Sequence, residues 1–174
     1  MFGDEVHWGT LETAGFAPGR FDAVTAFDVI EHIPDPPAFV SEAYRVLRPR
    51  GLLALVTPDT ASWSRRLLGR HWHQYKAEHC SYFSRALLAR MLSRQGFEVL
   101  EQRMAGKRLT LAFLRAYSQR YLPAAIGKAA TLFCRAAPEG LRHRPFPLPT
   151  GEMLLIARRD DQPPPTLRER AERA

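Results

Sequence analysis

Residues 21–37 read FDAVTAFDVIEHIPDPP, a run of apolar residues that ends on Asp28, Glu31 and His32 before a proline-rich stop. Phe21 to Phe27 has the length and composition of a strand. Its centre, with apolar residues on both faces, suits a strand covered by helices on both sides. Asp35 has the chemistry of an N-cap, with Pro36 and Pro37 in a first helical turn. Phe39, Ala43, Val46 and Leu47 then recur at helical spacing and predict an amphipathic helix over 36–48. RPRG (48–51) breaks it, and LLALVT (52–57) reads as a second buried strand.

The same punctuation continues along the chain. EVHWGTL (5–11) reads as a short strand running into a loop. Residues 59–83 are polar and aromatic, a loop with a short helix. Ser84 is a candidate N-cap for RALLARMLSRQ (85–95), Gly96 a C-terminal stop, and FEVLEQR (97–103) a strand. Residues 108–137 have a helical pattern with a break at Pro123, and EMLLIAR (152–158) is a last strand. Alternating strands and helices with continuous apolar strands predict an α/β fold with a mostly parallel sheet. Ligands of such sheets sit at the carboxyl ends of the strands. That gathers Thr10, Asp28 to His32, and Pro58–Asp59 around one site.

The chain has 174 residues and a net charge of +7. The excess lies between Lys107 and Arg144, where eight basic residues face one acid, Glu139. The domain is therefore neutral and carries one basic insert, spanning about 107–149. This pattern argues against a nucleic-acid binder, since no base-stacking platform or recognised module accompanies the charge. Leu109, Phe113, Tyr117 and Tyr121 recur every fourth residue within the insert. A basic amphipathic segment suits an anionic or lipid-linked partner or an acidic membrane surface, and equally a helix pair with solvated arginines. Cys80 and Cys134 form no CxxC pair and read as reduced, unpaired thiols. With no signal-like N-terminus, this predicts a cytoplasmic protein. The tail 160–174 has the composition of a disordered segment.

FDAVTAFDVIEHIPDP, RVLRPRGLLALVTP (45–58) and EHCSYFSRALLARMLSRQGFEVLE (78–101), in this order, resemble the C-terminal half of a class I S-adenosylmethionine-dependent methyltransferase. The ubiquinone-biosynthesis O-methyltransferases are the most similar subgroup. The resemblance covers about 4–105 and resumes at 151–158. It implies a Rossmann-like sheet, S-adenosylmethionine as cofactor, and methyl transfer to an oxygen of a small-molecule or lipid-like acceptor. It places Thr10 and Leu11, within GTLE (9–12), against the adenine, although many relatives carry Asp where Thr10 stands. Thr10 also reads as a simple loop cap. Ala26, Phe27 and Asp28 would line the cofactor, and the insert would form a lid.

The family's front end, with a Gly-rich turn, is not matched. Its usual strand order is 3-2-1-4-5-7-6, so the chain reads as an N-terminally truncated sheet lacking the first two strands. Its strand at 21–27 would be left with an unpaired edge, an aggregation hazard. A degenerate, non-catalytic half-domain is the alternative reading. A nicotinamide dehydrogenase has no support, because no dinucleotide fingerprint is present.

Three readings of the acid-x-x-Glu-His motif stay open. Some relatives bind a divalent metal here, which implies Asp28, Glu31, His32 and His79 as ligands of Mg²⁺ or Mn²⁺. His32 or His79 could instead be a general base. Glu31 and His32 could also be purely structural. RHWHQY (70–75) suggests a metal clip, an aromatic wall, or a loop with exposed histidines.

Overall fold

The computed structural model describes residues 6–121 and 124–161. Strand β1 spans Phe21–Phe27 and leads through a 3₁₀ turn, Ile30–His32, to helix α1, Pro36–Val46. The Asp35 side chain accepts from Ala38 N at 3.1 Å, which fixes the start of α1 as expected. Strand β2 is Leu47–Pro58, helix α2 Trp63–Leu68, and helix α3 Arg85–Arg94. Ser84 caps α3 by accepting from Leu87 N at 3.3 Å, and Gly96, with φ of 87°, ends it. Strand β3 is Phe97–Leu109, followed by α4 (Leu111–Tyr121), α5 (Ala124–Ala136), the short α6 (Glu139–Arg142) and β4, Phe146–Arg159.

The sheet order is β1-β2-β4-β3. β1 and β2 are parallel, whereas β4 runs antiparallel to both β2 and β3. The order agrees with the expected 4-5-7-6 half of the family sheet. The expectation of a mostly parallel sheet is corrected. Three strands point one way, but the last inserts between two of them and leaves a single parallel pair.

One face of the sheet packs on α1 and α3. Ala26, Leu53, Leu55, Leu155 and Ala157 meet Phe39, Val40, Ala43, Leu88 and Leu92 in one buried cluster. The other face differs from the sequence expectation, which covered β1 on both sides. There Phe27 is 54% exposed and Leu52 40%. β1 pairs with no strand but β2 among the described residues, so the expected open edge is present.

Further differences are local. No strand forms over residues 6–20. Thr10 O instead accepts from Thr13 N and Ala14 N, both at 3.2 Å, and closes a turn. RPRG does not end the helix in a loop. It bulges out of β2, with Arg50 at φ 63° and the register jumping from Phe21↔Leu47 to Ala23↔Leu52. The largest difference is at β3 and β4. Both run well past the central sheet and pair as a two-stranded ribbon through Lys107↔Leu148 and Leu109↔Phe146. Pro147 and Pro149, which punctuate the sequence like a loop, lie within β4. A two-stranded ribbon leaves one side of each strand without a ladder partner, so a missing N–H is tolerated. Residues 110–145, between the two ribbon strands, carry α4 to α6. The expected break at Pro123 and the tail beyond residue 161 lie outside the described residues. Among the described residues no helix is long and apolar enough to cross a membrane.

Candidate functional site

The turn after β1 is built by Asp28. Its φ of 53° swings the chain out of the strand, and its N–H donates to Val56 O at 2.9 Å. Asp is among the few non-glycine residues that adopt this conformation readily. The swing drives Glu31 inward, where it is 2% exposed. Glu31 Oε2 accepts from Thr57 Oγ1 at 2.8 Å, within the hydrogen-bonding range of a buried carboxylate. The backbone carbonyl of Glu31 accepts from Cys80 N at 2.8 Å and Ser81 N at 3.1 Å. One residue therefore joins the turn after β1 to the loop before α3, and so brings His79 to His32.

The two imidazoles meet edge to face, with centroids 4.7 Å apart and planes at 87°. His32 Nδ1 lies 2.9 Å from Glu78 O; a carbonyl can only accept, so Nδ1 carries the proton and Nε2 is left as the basic nitrogen. His79 is buried, and its Nδ1 has no hydrogen-bond partner among the described residues. Burial holds His79 below the usual imidazole range; Glu31 opposes that shift and His32 adds to it. The shift favours the neutral imidazole. One ligand atom each from Glu31, His32 and His79 lies within 4.8 Å of the others. Asp28 is not in this group. Its Oδ2 accepts from Lys107 Nζ at 2.9 Å. Asp59 is committed elsewhere, accepting from Ala61 N and Arg85 Nε, both at 2.8 Å.

Asp28, Glu31, His32 and His79 all face a cavity of about 480 Å³ under α4 and the β3–β4 ribbon. Its far wall is apolar, with Trp63, Leu109, Phe113, Leu114 and Leu148. The adenine-side residues lie elsewhere. Thr10, Leu11 and Ala26 line a separate hollow of about 250 Å³ on the outer side of β1. The hydroxyl that caps this turn is that of Thr13, whose Oγ1 accepts from Thr10 N at 2.9 Å and donates to Thr10 O at 3.1 Å. Phe27 lines neither space. Of the RHWHQY residues, Trp72 is buried, donating Nε1–H to Ser64 Oγ at 3.1 Å. His73 lines the larger cavity, and burial pushes it down to about 4, helped by Lys76 and Lys107.

Sequence reasoning did not find Lys107, Gln74, Thr150 and Glu152. Lys107 Nζ sits 2.7 Å from Glu152 Oε1 and bridges it to Asp28. Gln74 Nε2 donates to the same oxygen at 3.1 Å. Burial pushes the Glu152 carboxyl up, against the pull of Lys107. A signal for it exists in the sequence. An antiparallel last strand runs back from the carboxyl end of its neighbour, and Glu152, the first residue of the apolar run 152–158, faces Pro58 at the end of β2, so it falls at the ligand end of the sheet.

A family model described as a methyltransferase domain matches residues 5–102. The chain is similar to the ubiquinone biosynthesis O-methyltransferase of Xanthomonas oryzae pv. oryzae, 39% identical over 69 residues, covering 33% of this chain and 29% of that protein. It is similar to the same enzyme of Thiobacillus denitrificans, 34% identical over 98 residues, covering 48% and 39%. Matched segments thus span about a third of the length of these curated relatives. Its fold is similar to that of a SAM-dependent methyltransferase from Archaeoglobus fulgidus, with a TM-score of 0.53, 14% identity, and 88% and 66% of the two chains covered. The match over more than half its length, together with this sheet order, shows that the chain belongs to the class I S-adenosylmethionine-dependent methyltransferase family.

Proposed function

We propose that this chain carries the acceptor-binding and proton-handling part of an enzyme that methylates an oxygen of a small, lipid-like molecule. The observation that carries the reading is the buried His79, whose Nδ1 is unpartnered among the described residues, in the lining of a cavity that also has an apolar wall. When bound, S-adenosylmethionine supplies an electrophilic methyl on a sulfonium sulfur. The hollow at Thr10, Leu11 and Ala26 has the lining for a flat base, and so fits its adenine. His79 takes the proton of the acceptor hydroxyl at Nδ1 as that oxygen becomes the nucleophile. His32, fixed by Glu78 O, holds the His79 ring edge-on. The names of the curated relatives, ubiquinone biosynthesis O-methyltransferases, support an oxygen acceptor.

A second reading is favoured by the grouping of Glu31, His32 and His79. A carboxylate with two imidazoles suits a divalent transition ion better than Mg²⁺. There it would fix and acidify the acceptor oxygen. The basic insert supports a further reading, contact with an acidic membrane surface. Leu132 and Phe133 on α5 are 72% and 66% exposed, in the helix that carries Lys128 and Arg135.

Two measurements test the reading. Calorimetry of the folded 174-residue chain with S-adenosylmethionine should give saturable heat. A folded chain that gives none favours the non-catalytic half-domain. Radiolabelled methyl transfer to 4-hexylcatechol should fall at least about 100-fold in His79→Ala. Undiminished transfer in that variant overturns the proton-handling role, and full activity in excess chelator removes the metal reading.

A further inference from the structure

The larger cavity holds buried polar atoms that the proton-handling step does not use. Glu152, 1% exposed, uses Oε1 for both Lys107 and Gln74, while Oε2 has no partner among the described residues. Beside it in sequence, Thr150 Oγ1 is also buried and unpartnered. Both residues line the cavity. A buried carboxylate oxygen without a donor is costly unless a ligand supplies one. The missing partner is a donor, because Oε1 already takes the ammonium of Lys107. An anionic head would meet Asp28, Glu31 and Glu152 together, and of the two lysines at the cavity Lys107 is already held between two carboxylates. Beyond these groups the walls are apolar, with Phe113, Leu114 and Leu148.

We propose that Glu152 is a specificity-determining residue, receiving a neutral hydroxyl of the acceptor head on Oε2 and so selecting an uncharged, hydroxylated amphiphile. The inference rests on the reading of this cavity as the acceptor site. It leaves the basic residues of the insert other than Lys107 outside head-group recognition, because the cavity end of β4 is acidic.

The test is a binding experiment on the full chain without methyl donor, so it stands or falls independently of methyl transfer. Three probes share a hexyl tail: 4-hexylphenol, which donates; 4-hexylanisole, which only accepts; and hexylbenzene, which does neither. Ligand-observed NMR or calorimetry gives the three affinities. The phenol should bind at least about tenfold more tightly than the other two. In Glu152→Gln, with an unchanged circular dichroism spectrum, the preference should fall below about threefold. If that variant does not fold, Glu152→Asp keeps the charge beside Lys107 but withdraws the oxygen by one methylene, and should give the same loss. Equal affinity for the three probes, no saturable binding of any, or a preference that survives in the folded variant overturns the proposal.

Discussion

Gly151→Ala offers a sharp test of how the cavity floor is held. Gly151 has φ of 90°, which side-chain-bearing residues rarely adopt. A Cβ there would press into Ser64 Oγ and stand 2.9 Å from Ser62 Oγ. The strain alone costs about 1–2 kcal/mol. Displacing Ser64 also breaks its hydrogen bond from Trp72 Nε1, and that indole is 1% exposed. Leaving such a donor unpaired costs about 1–3 kcal/mol more. The expected loss is about 3 kcal/mol, or a fall in Tm of roughly 6–12 °C for a chain of this size. Urea denaturation of Gly151→Ala in wild-type and Ser64→Gly backgrounds separates the two causes. Ser64→Gly removes the nearer clash together with the oxygen, so in that background only the backbone strain and the milder approach to Ser62 should remain, about 1–2 kcal/mol. A loss under about 1 kcal/mol, or the same loss in both backgrounds, refutes the reasoning.

Thr57→Val leaves the Glu31 carboxylate without its 2.8 Å donor and should cost about 2 kcal/mol in urea denaturation; a neutral result would show that Glu31 is otherwise satisfied. His73, pushed down to about 4, contributes stability above pH 6.5 that is lost as pH falls from 6.5 towards 4, because the unfolded state then binds the extra proton. His73→Phe should therefore gain on the wild type by about 2 kcal/mol between pH 7 and pH 4, discounted for partial exposure, and a gap independent of pH would contradict this. Lys107→Met strips Glu152 of its cation and should cost about 3 kcal/mol at pH 8. Burial raises the Glu152 carboxyl, so its protonation on acidification relieves the cost, and the loss should shrink by pH 5. Chemical denaturation at the two pH values measures it, and a loss that grows on acidification would mean that Glu152 is not the group left uncompensated.

Much of the fold was legible because its signals are local. Asp35 and Ser84 cap where side-chain chemistry says they should, and Phe21–Phe27 reads as a strand because its composition allows little else. Glu31, His32 and His79 were legible only through the family pattern, since nothing local shows that a backbone carbonyl at residue 31 will hold residues 80 and 81. The ribbon was not legible. Its stability comes from pairing across the whole insert, and its prolines carry the signal of a loop. Glu152 was missed for a related reason: its partners are 45 residues or more away in sequence, at Lys107 and Gln74, and an acid at the head of an apolar strand reads as exposed until the strand's direction is known. EVHWGTL was read as a short strand, and a strand with no neighbour to pair with has no reason to form.

The ribbon also bears on how such a chain can change over evolutionary time. Both ends of segment 110–145 are clamped by the facing residues Leu109 and Phe146. Facing residues of an antiparallel pair lie only about 5 Å apart, whatever connects them. The segment is therefore a cassette. Its length and helices can vary while the anchor points stay fixed, and doubling a flexible connection adds only about 0.6 kcal/mol of closure entropy. The sheet, the Glu31 anchor and the histidine pair lie outside it. Exchanging the cassette would reshape the apolar wall that Phe113 and Leu114 give the cavity, while Glu152, in the body of β4, stays where it is.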